Sequence, residues 1–115
     1  MYLNVKNPLL STKVKNAFKK VGDYDFTIKN IDINGSKRGC SGFIENKTTG
    51  AVVYINTESS VNSSVPPLMF RYARDTKDYK GLRNRFCYTL EELVKEASEM
   101  LKTPVKDTPE YRAFA

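Results

Sequence analysis

The chain has 115 residues, 40% hydrophobic and 28% charged, with a formal net charge of +6 and no histidine. That is the length of one domain, and folding it buries roughly 65% of the extended chain's surface in a single core. No apolar run approaches the ~20 residues of a membrane span, and Cys40 and Cys87 alone cannot supply the four ligands of a structural zinc site.

The first ten residues lack the basic end, apolar stretch and small-residue cleavage site of an export signal, so the expected location is the cytoplasm of the host cell. In that reducing compartment the two cysteines read as small buried apolar groups; a disulfide or a reactive thiol is the alternative. The positive charge is uneven. Residues 1–22 carry +5, residues 23–67 −1, residues 68–88 +4 and residues 89–115 −2. Two basic segments therefore hold the excess, which predicts a positive face on the folded molecule.

In chain order, Ser11 is the expected N-cap of a short helix reaching Lys20, with Val14, Ala17, Phe18 and Val21 at helical spacing and Gly22 as its stop. Lys13, Lys15, Lys19 and Lys20 lie off that apolar stripe. They read as a solvated helix face or, more sharply, as an anion-facing surface. Residues 24–33 read as a strand. A register break near Lys29-Asn30 would bring Phe26, Ile28, Ile31 and Ile33 to one face. Asn34-Gly35 is a hairpin signal, and the chain returns over residues 39–45. Gly35, Gly39 and Gly42 invite a phosphate-cradle reading, but no Gly-Lys-Ser/Thr and no helix follow them, which leaves a turn and a glycine-bearing strand.

The stretch 42–57 organises the rest. Asn46 and Gly50 supply the turn, and Ala51-Val52-Val53-Tyr54-Ile55, apolar at every position, reads as a central strand covered on both faces. Residues 58–67, rich in Ser, Asn and Pro, read as a loop. Leu68, Met69, Tyr72, Ala73, Thr76 and Tyr79 make a helical stripe ending at Gly81, so a helix is expected there, with a strand over 68–72 as the alternative. Phe86 to Tyr88 reads as a short extended piece. Thr89-Leu90-Glu91-Glu92 is a capping box opening a helix with Leu90, Leu93, Val94, Ala97 and Leu101 on one stripe and Lys102 near its end. The expected architecture is α+β: a three-stranded antiparallel meander packed with two to three helices in a single domain over 1–102. Residues 103–115 read as a tail, either loosely ordered or carrying Tyr111 and Phe114 on one last short turn begun at Thr108-Pro109.

Catalytic signatures are sparse. Without histidine there is no imidazole acid/base and no Ser–His or Cys–His nucleophile. Asp23, Asp25, Asp32 and Glu45 would need to gather to hold Mg²⁺ in a nuclease-like site, and their spacing matches no metal motif. The expectation is a non-enzymatic protein with no cofactor and no metal. Its informative constellation is Arg71, Tyr72, Arg74, Lys77, Tyr79, Lys80, Arg83 and Arg85, joined by the lysines of residues 13–20. Such cations neutralise phosphates while rings stack on bases, although Arg and Tyr also anchor protein interfaces. If Tyr72 and its apolar neighbours are core instead, Asp75 and Asp78 simply pair with nearby bases.

Residues 42–57, with Arg71-Tyr72-Ala73-Arg74-Asp75, Lys77-Asp78-Tyr79-Lys80-Gly81 and Tyr88-Thr89-Leu90-Glu91-Glu92-Leu93, resemble small accessory proteins of Firmicutes phages and mobile elements, among which the anti-CRISPR proteins inhibit RNA-guided nucleases. The resemblance spans about half the chain and contains no catalytic motif. It implies an inhibitor that binds a host nucleoprotein through its basic, aromatic surface, with direct DNA or RNA binding as the alternative and a small metal-dependent nuclease as a third reading. The basic charge disfavours mimicry of DNA, which demands an acidic surface.

Overall fold

The structure, a computed structural model, describes residues 10–33, 36–57, 68–81 and 83–103. Along the chain lie α1 (Leu10–Lys19), β1 (Asp25–Ile33), β2 (Ser36–Glu45), β3 (Val52–Asn56), β4 (Leu68–Ala73), β5 (Arg85–Cys87) and α2 (Leu90–Met100). The class is α+β, but the expected three-stranded meander is overturned. Among the described residues the sheet has five antiparallel strands in the order β1-β2-β3-β4-β5, each paired with its sequence neighbour.

The error lay in residues 68–80, which do not form a helix. Leu68, Phe70 and Tyr72 point into the main core while Arg71 and Ala73 are buried on the opposite face. A helix buries one stripe, about three residues in seven, whereas a strand covered on both sides buries nearly all of them. Each buried Leu or Phe contributes ~1.5–3 kcal/mol, which outweighs helix-propensity differences of a few tenths per residue. Pairing with β4 then draws residues 85–87 in as the fifth strand.

β3 takes the central place expected of it, with Val52 to Ile55 buried. One face of the sheet carries the main core, in which Val14 and Phe18 of α1 and Leu93, Ala97 and Met100 of α2 pack on Ile44, Val53, Ile55 and Phe70. α1 begins at Leu10, two residues before the start that a Ser11 cap implies, so Ser11 lies inside its first turn rather than at the cap, and its backbone N–H donates to Asn30 Oδ1 at 3.3 Å. Gly22 closes it as expected, its N–H reaching Phe18 O at 3.2 Å. The register of β1 stays regular through Ile31 and shifts only between Ile31 and Ile33. Ile31 therefore faces away from Phe26 and Ile28, contrary to the expected gathering of all four on the core face.

Glycine at position 42 is forced by close packing. Its φ is +154°, and a Cβ there would strike the Thr27 carbonyl oxygen and lie 2.6 Å from Ile28 Cα on the neighbouring strand. Gly50, at φ +77°, closes the β2–β3 turn. That turn also serves α2. Asn46 Nδ2 and Thr49 Oγ1 donate to Leu101 O at 3.0 and 2.8 Å, satisfying a carbonyl left over at the helix end. At the other end the capping box is complete: Glu92 N–H donates to Thr89 Oγ1 at 3.1 Å and Thr89 N–H to Glu92 Oε1 at 3.2 Å. The Asn34-Gly35 turn, the 58–67 loop and the 104–115 part of the tail lie outside the described residues. No helix among the described residues is long and apolar enough to cross a membrane.

Candidate functional site

The face of the sheet away from the helices holds the site. Strand register places Thr27, Phe43, Tyr54 and Arg71 in one cross-strand row on that face. Phe43 is fully buried and Tyr54 nearly so, their ring centroids 5.0 Å apart, and the Arg71 guanidinium carbon lies 4.5 Å from the centre of the Tyr54 ring. A bare sheet face would leave these groups wet. The segment 74–81 folds back over them and seats Tyr79 edge-on to both rings, at 5.1 Å from Phe43 and 5.7 Å from Tyr54.

A buried ion pair gives that segment its shape. Arg71 and Asp78 have side chains only 2% and 3% exposed. Arg71 Nη2 donates to the Asp78 carbonyl oxygen at 2.6 Å and Nη1 to the Tyr72 carbonyl oxygen at 3.1 Å. The Asp78 carboxylate accepts the backbone N–H groups of Arg74 at 3.0 Å and Lys80 at 3.3 Å. Guanidinium and carboxylate themselves stand 3.9 Å apart at their nearest, so their attraction is coulombic and the short hydrogen bonds run to the backbone. Burial works to raise the Asp78 pKa, but the two backbone donors, the Arg74 side chain and the Arg71 charge together hold it below the ordinary carboxylate value. Burial lowers the Arg71 pKa, opposed by Asp78 and Tyr54; a guanidinium stays charged regardless. Gly81 completes the enclosure, since a Cβ there would press into the guanidinium, 2.7 Å from its carbon.

The residues expected to bind from the sequence divide accordingly. Arg71 and Tyr72 are not surface groups: one is the buried anchor of the loop, the other is 7% exposed within the main core. Arg74, Lys77, Tyr79 and Lys80 are brought together on the loop, all exposed, around a depression of about 420 Å³ that Asp75 and Asp78 also line. Arg83 is exposed at φ +64°, and Arg85 turns to the helix side of the sheet, its guanidinium 5.4 Å from the Tyr72 ring centre. Lys13, Lys19 and Lys20 are exposed on α1 and Lys15 is half-buried there. Since α1 packs on the face opposite the loop, the two basic segments do not merge into the single positive face that the charge distribution predicted. Sequence reasoning missed Phe43 and Tyr54, and it paired Asp78 with nearby bases on a solvated face, where the structure buries it against Arg71 and Arg74. The signal for Asp78 was an acid inside a basic run, where a carboxylate neutralises a neighbour that has left the surface.

Asp25 and Glu45 are cross-strand partners, and Lys47 Nζ lies 3.4 Å from Asp25 Oδ1. Among the described residues no three acidic or sulfur side chains gather as a metal site would require. Cys40 and Cys87 are free and buried, and burial pushes both thiols up to about 11. No protein-family model, curated protein or solved structure matches the chain.

Proposed function

We propose that this chain is a binding protein without chemistry of its own, which docks the loop 74–81 against the nucleic acid of a host nucleoprotein. One observation carries the reading: Asp78, buried against Arg71 and bonded to Arg74 Nε at 3.5 Å, fixes a frame on which Lys77, Tyr79 and Lys80 are exposed. Cations on an ordered loop meet phosphates at a smaller entropic cost than cations on a floppy one. Arg71 and Arg74 together more than offset Asp78, and Lys77 and Lys80 outnumber Asp75, so the local field is positive. The resemblance to small accessory proteins of Firmicutes phages and mobile elements, among which the anti-CRISPR proteins are known, suggests the kind of nucleoprotein, an RNA-guided nuclease, and the consequence, inhibition of its cleavage.

The test pairs a cleavage assay with binding titrated against salt. The protein should form a complex with the guide-loaded nuclease and reduce cleavage. Lys77→Glu with Lys80→Glu should abolish both effects, and each single change should flatten the salt dependence by about one unit of slope. Complex formation that ignores both charge reversals, or the absence of any complex with nucleoprotein or with free DNA and RNA, overturns the proposal.

A further inference from the structure

Tyr79 is the odd member of its loop. It is 59% exposed although it covers two buried rings, and neither contact is a parallel stack, with interplanar angles of 72° and 80°. It also stands as a partition between two depressions. On one side is the cation-lined hollow of residues 74–80; on the other is a hollow of about 260 Å³ lined by Phe26, Thr27, Ile28, Lys29, Ser41 and Tyr79. The second hollow lies on the same face as a cross-strand row in which Lys29, Ser41, Asn56, Met69 and Phe86 are register partners in succession, with Ser41 buried and Asn56 and Met69 half-buried. Lys29 and Phe86 are exposed at the two ends of that row.

We infer that Tyr79 is a stacking platform for an unpaired nucleobase, and that the partner's nucleic acid is engaged as a single strand lying across this face of the sheet. The inference rests on the docking reading above and narrows it. A duplex offers phosphates to the loop but keeps its bases stacked on each other, so it has no use for an aromatic ring beside a hollow on either side. A single strand has a base to place against the ring, a phosphate for Lys77 or Lys80, and the exposed Thr27 hydroxyl and Lys29 ammonium to meet the next nucleotide. An acidic protein surface would satisfy the same lysines, so charge does not separate the two occupants; the exposed ring set between two hollows favours a base.

The ring's role separates from the charge role by substitution. Tyr79→Leu keeps an apolar cover over Phe43 and Tyr54 but removes the π face, and Tyr79→Phe keeps the face and removes only the hydroxyl. Fluorescence anisotropy would compare a labelled single strand of about ten nucleotides with the same sequence as a duplex, for wild type, both Tyr79 variants and Lys77→Glu. Tyr79→Leu should weaken single-strand binding roughly tenfold or more while leaving the duplex within about twofold, and Tyr79→Phe should bind as wild type. If Lys77→Glu weakens both ligands and Tyr79→Leu weakens neither, the docking reading survives and base stacking is refuted. Equal losses for Tyr79→Leu on single strand and duplex also refute it. Wild-type protein that binds neither form refutes base stacking, and the docking reading falls with it only if the guide-loaded nuclease also forms no complex.

Discussion

Replacing Asp78 by Ala exposes the logic of the loop most directly. The change leaves Arg71, with a side chain 2% exposed, without its counter-charge, and withdraws the acceptor from the Arg74 and Lys80 backbone N–H groups. Breaking one side of a buried pair costs about 3–5 kcal/mol. Arg71 keeps its two carbonyl acceptors and the Tyr54 ring, which places the expected loss at the low end, about 3 kcal/mol. At ~2.1 cal/mol/K of unfolding entropy per residue, that is a fall in Tm of about 12 °C for 115 residues. Circular dichroism melts measure it, and a second variant isolates the pair: Arg71→Met with Asp78→Ala should cost less than the sum of the two single changes. The acid limb gives an independent check. Because the folded pKa of Asp78 is depressed, its ionised form stabilises the fold above the ordinary carboxylate value of 3.8, and that contribution is lost as pH falls through the lower folded value. The Tm gap between wild type and Asp78→Asn should thus be full near about pH 7 and shrink as the pH falls below 3.8. A gap below about 2 °C at neutral pH, or strict additivity of the two single changes, refutes the account of the loop as charge-anchored.

Other consequences are quicker to check. Gly42→Ala drives a Cβ into the Thr27 carbonyl of the neighbouring strand and should cost about 3 kcal/mol or more, read as a lowered urea midpoint or lost folded yield; a midpoint like wild type refutes the close-approach argument. Thr89→Ala removes half of the capping box and should cost ~1 kcal/mol, with the helical signal of α2 fraying first on heating. Cys40 and Cys87, buried with thiols raised to about 11, should resist Ellman's reagent at neutral pH until the chain is unfolded in denaturant, and fast labelling of the native protein would contradict their burial.

The local signals in this chain were strong wherever a short stretch decides its own structure. The capping box at Thr89 and Glu92, the apolar run from Ala51 to Ile55 and the stop at Gly22 all act through neighbours a few residues away, and each was legible in order and type. Residues 68–73 were different, because their stripe fits a helix and their alternation fits a strand. Only a second cover on the far side of the sheet, which buries Arg71 and Ala73 as well as Phe70, settles the choice. The binding residues followed the same rule. Their residue types were visible, yet burial turned Arg71 from a surface cation into an anchor, and packing sent the lysines of α1 to the other side of the sheet from the loop.

By itself, then, the sequence determined the α+β class, the central place of β3, the capped α2 helix and a cationic, aromatic character around residues 71–88. Tertiary structure alone decided that there are five strands, that Asp78 neutralises a buried arginine, and that Tyr79 rather than Tyr72 reaches the surface. The physical reason is distance along the chain: caps and turns are local energies, whereas burial on two faces, and the pairing of a charge that burial demands, depend on segments brought together from remote parts of the sequence.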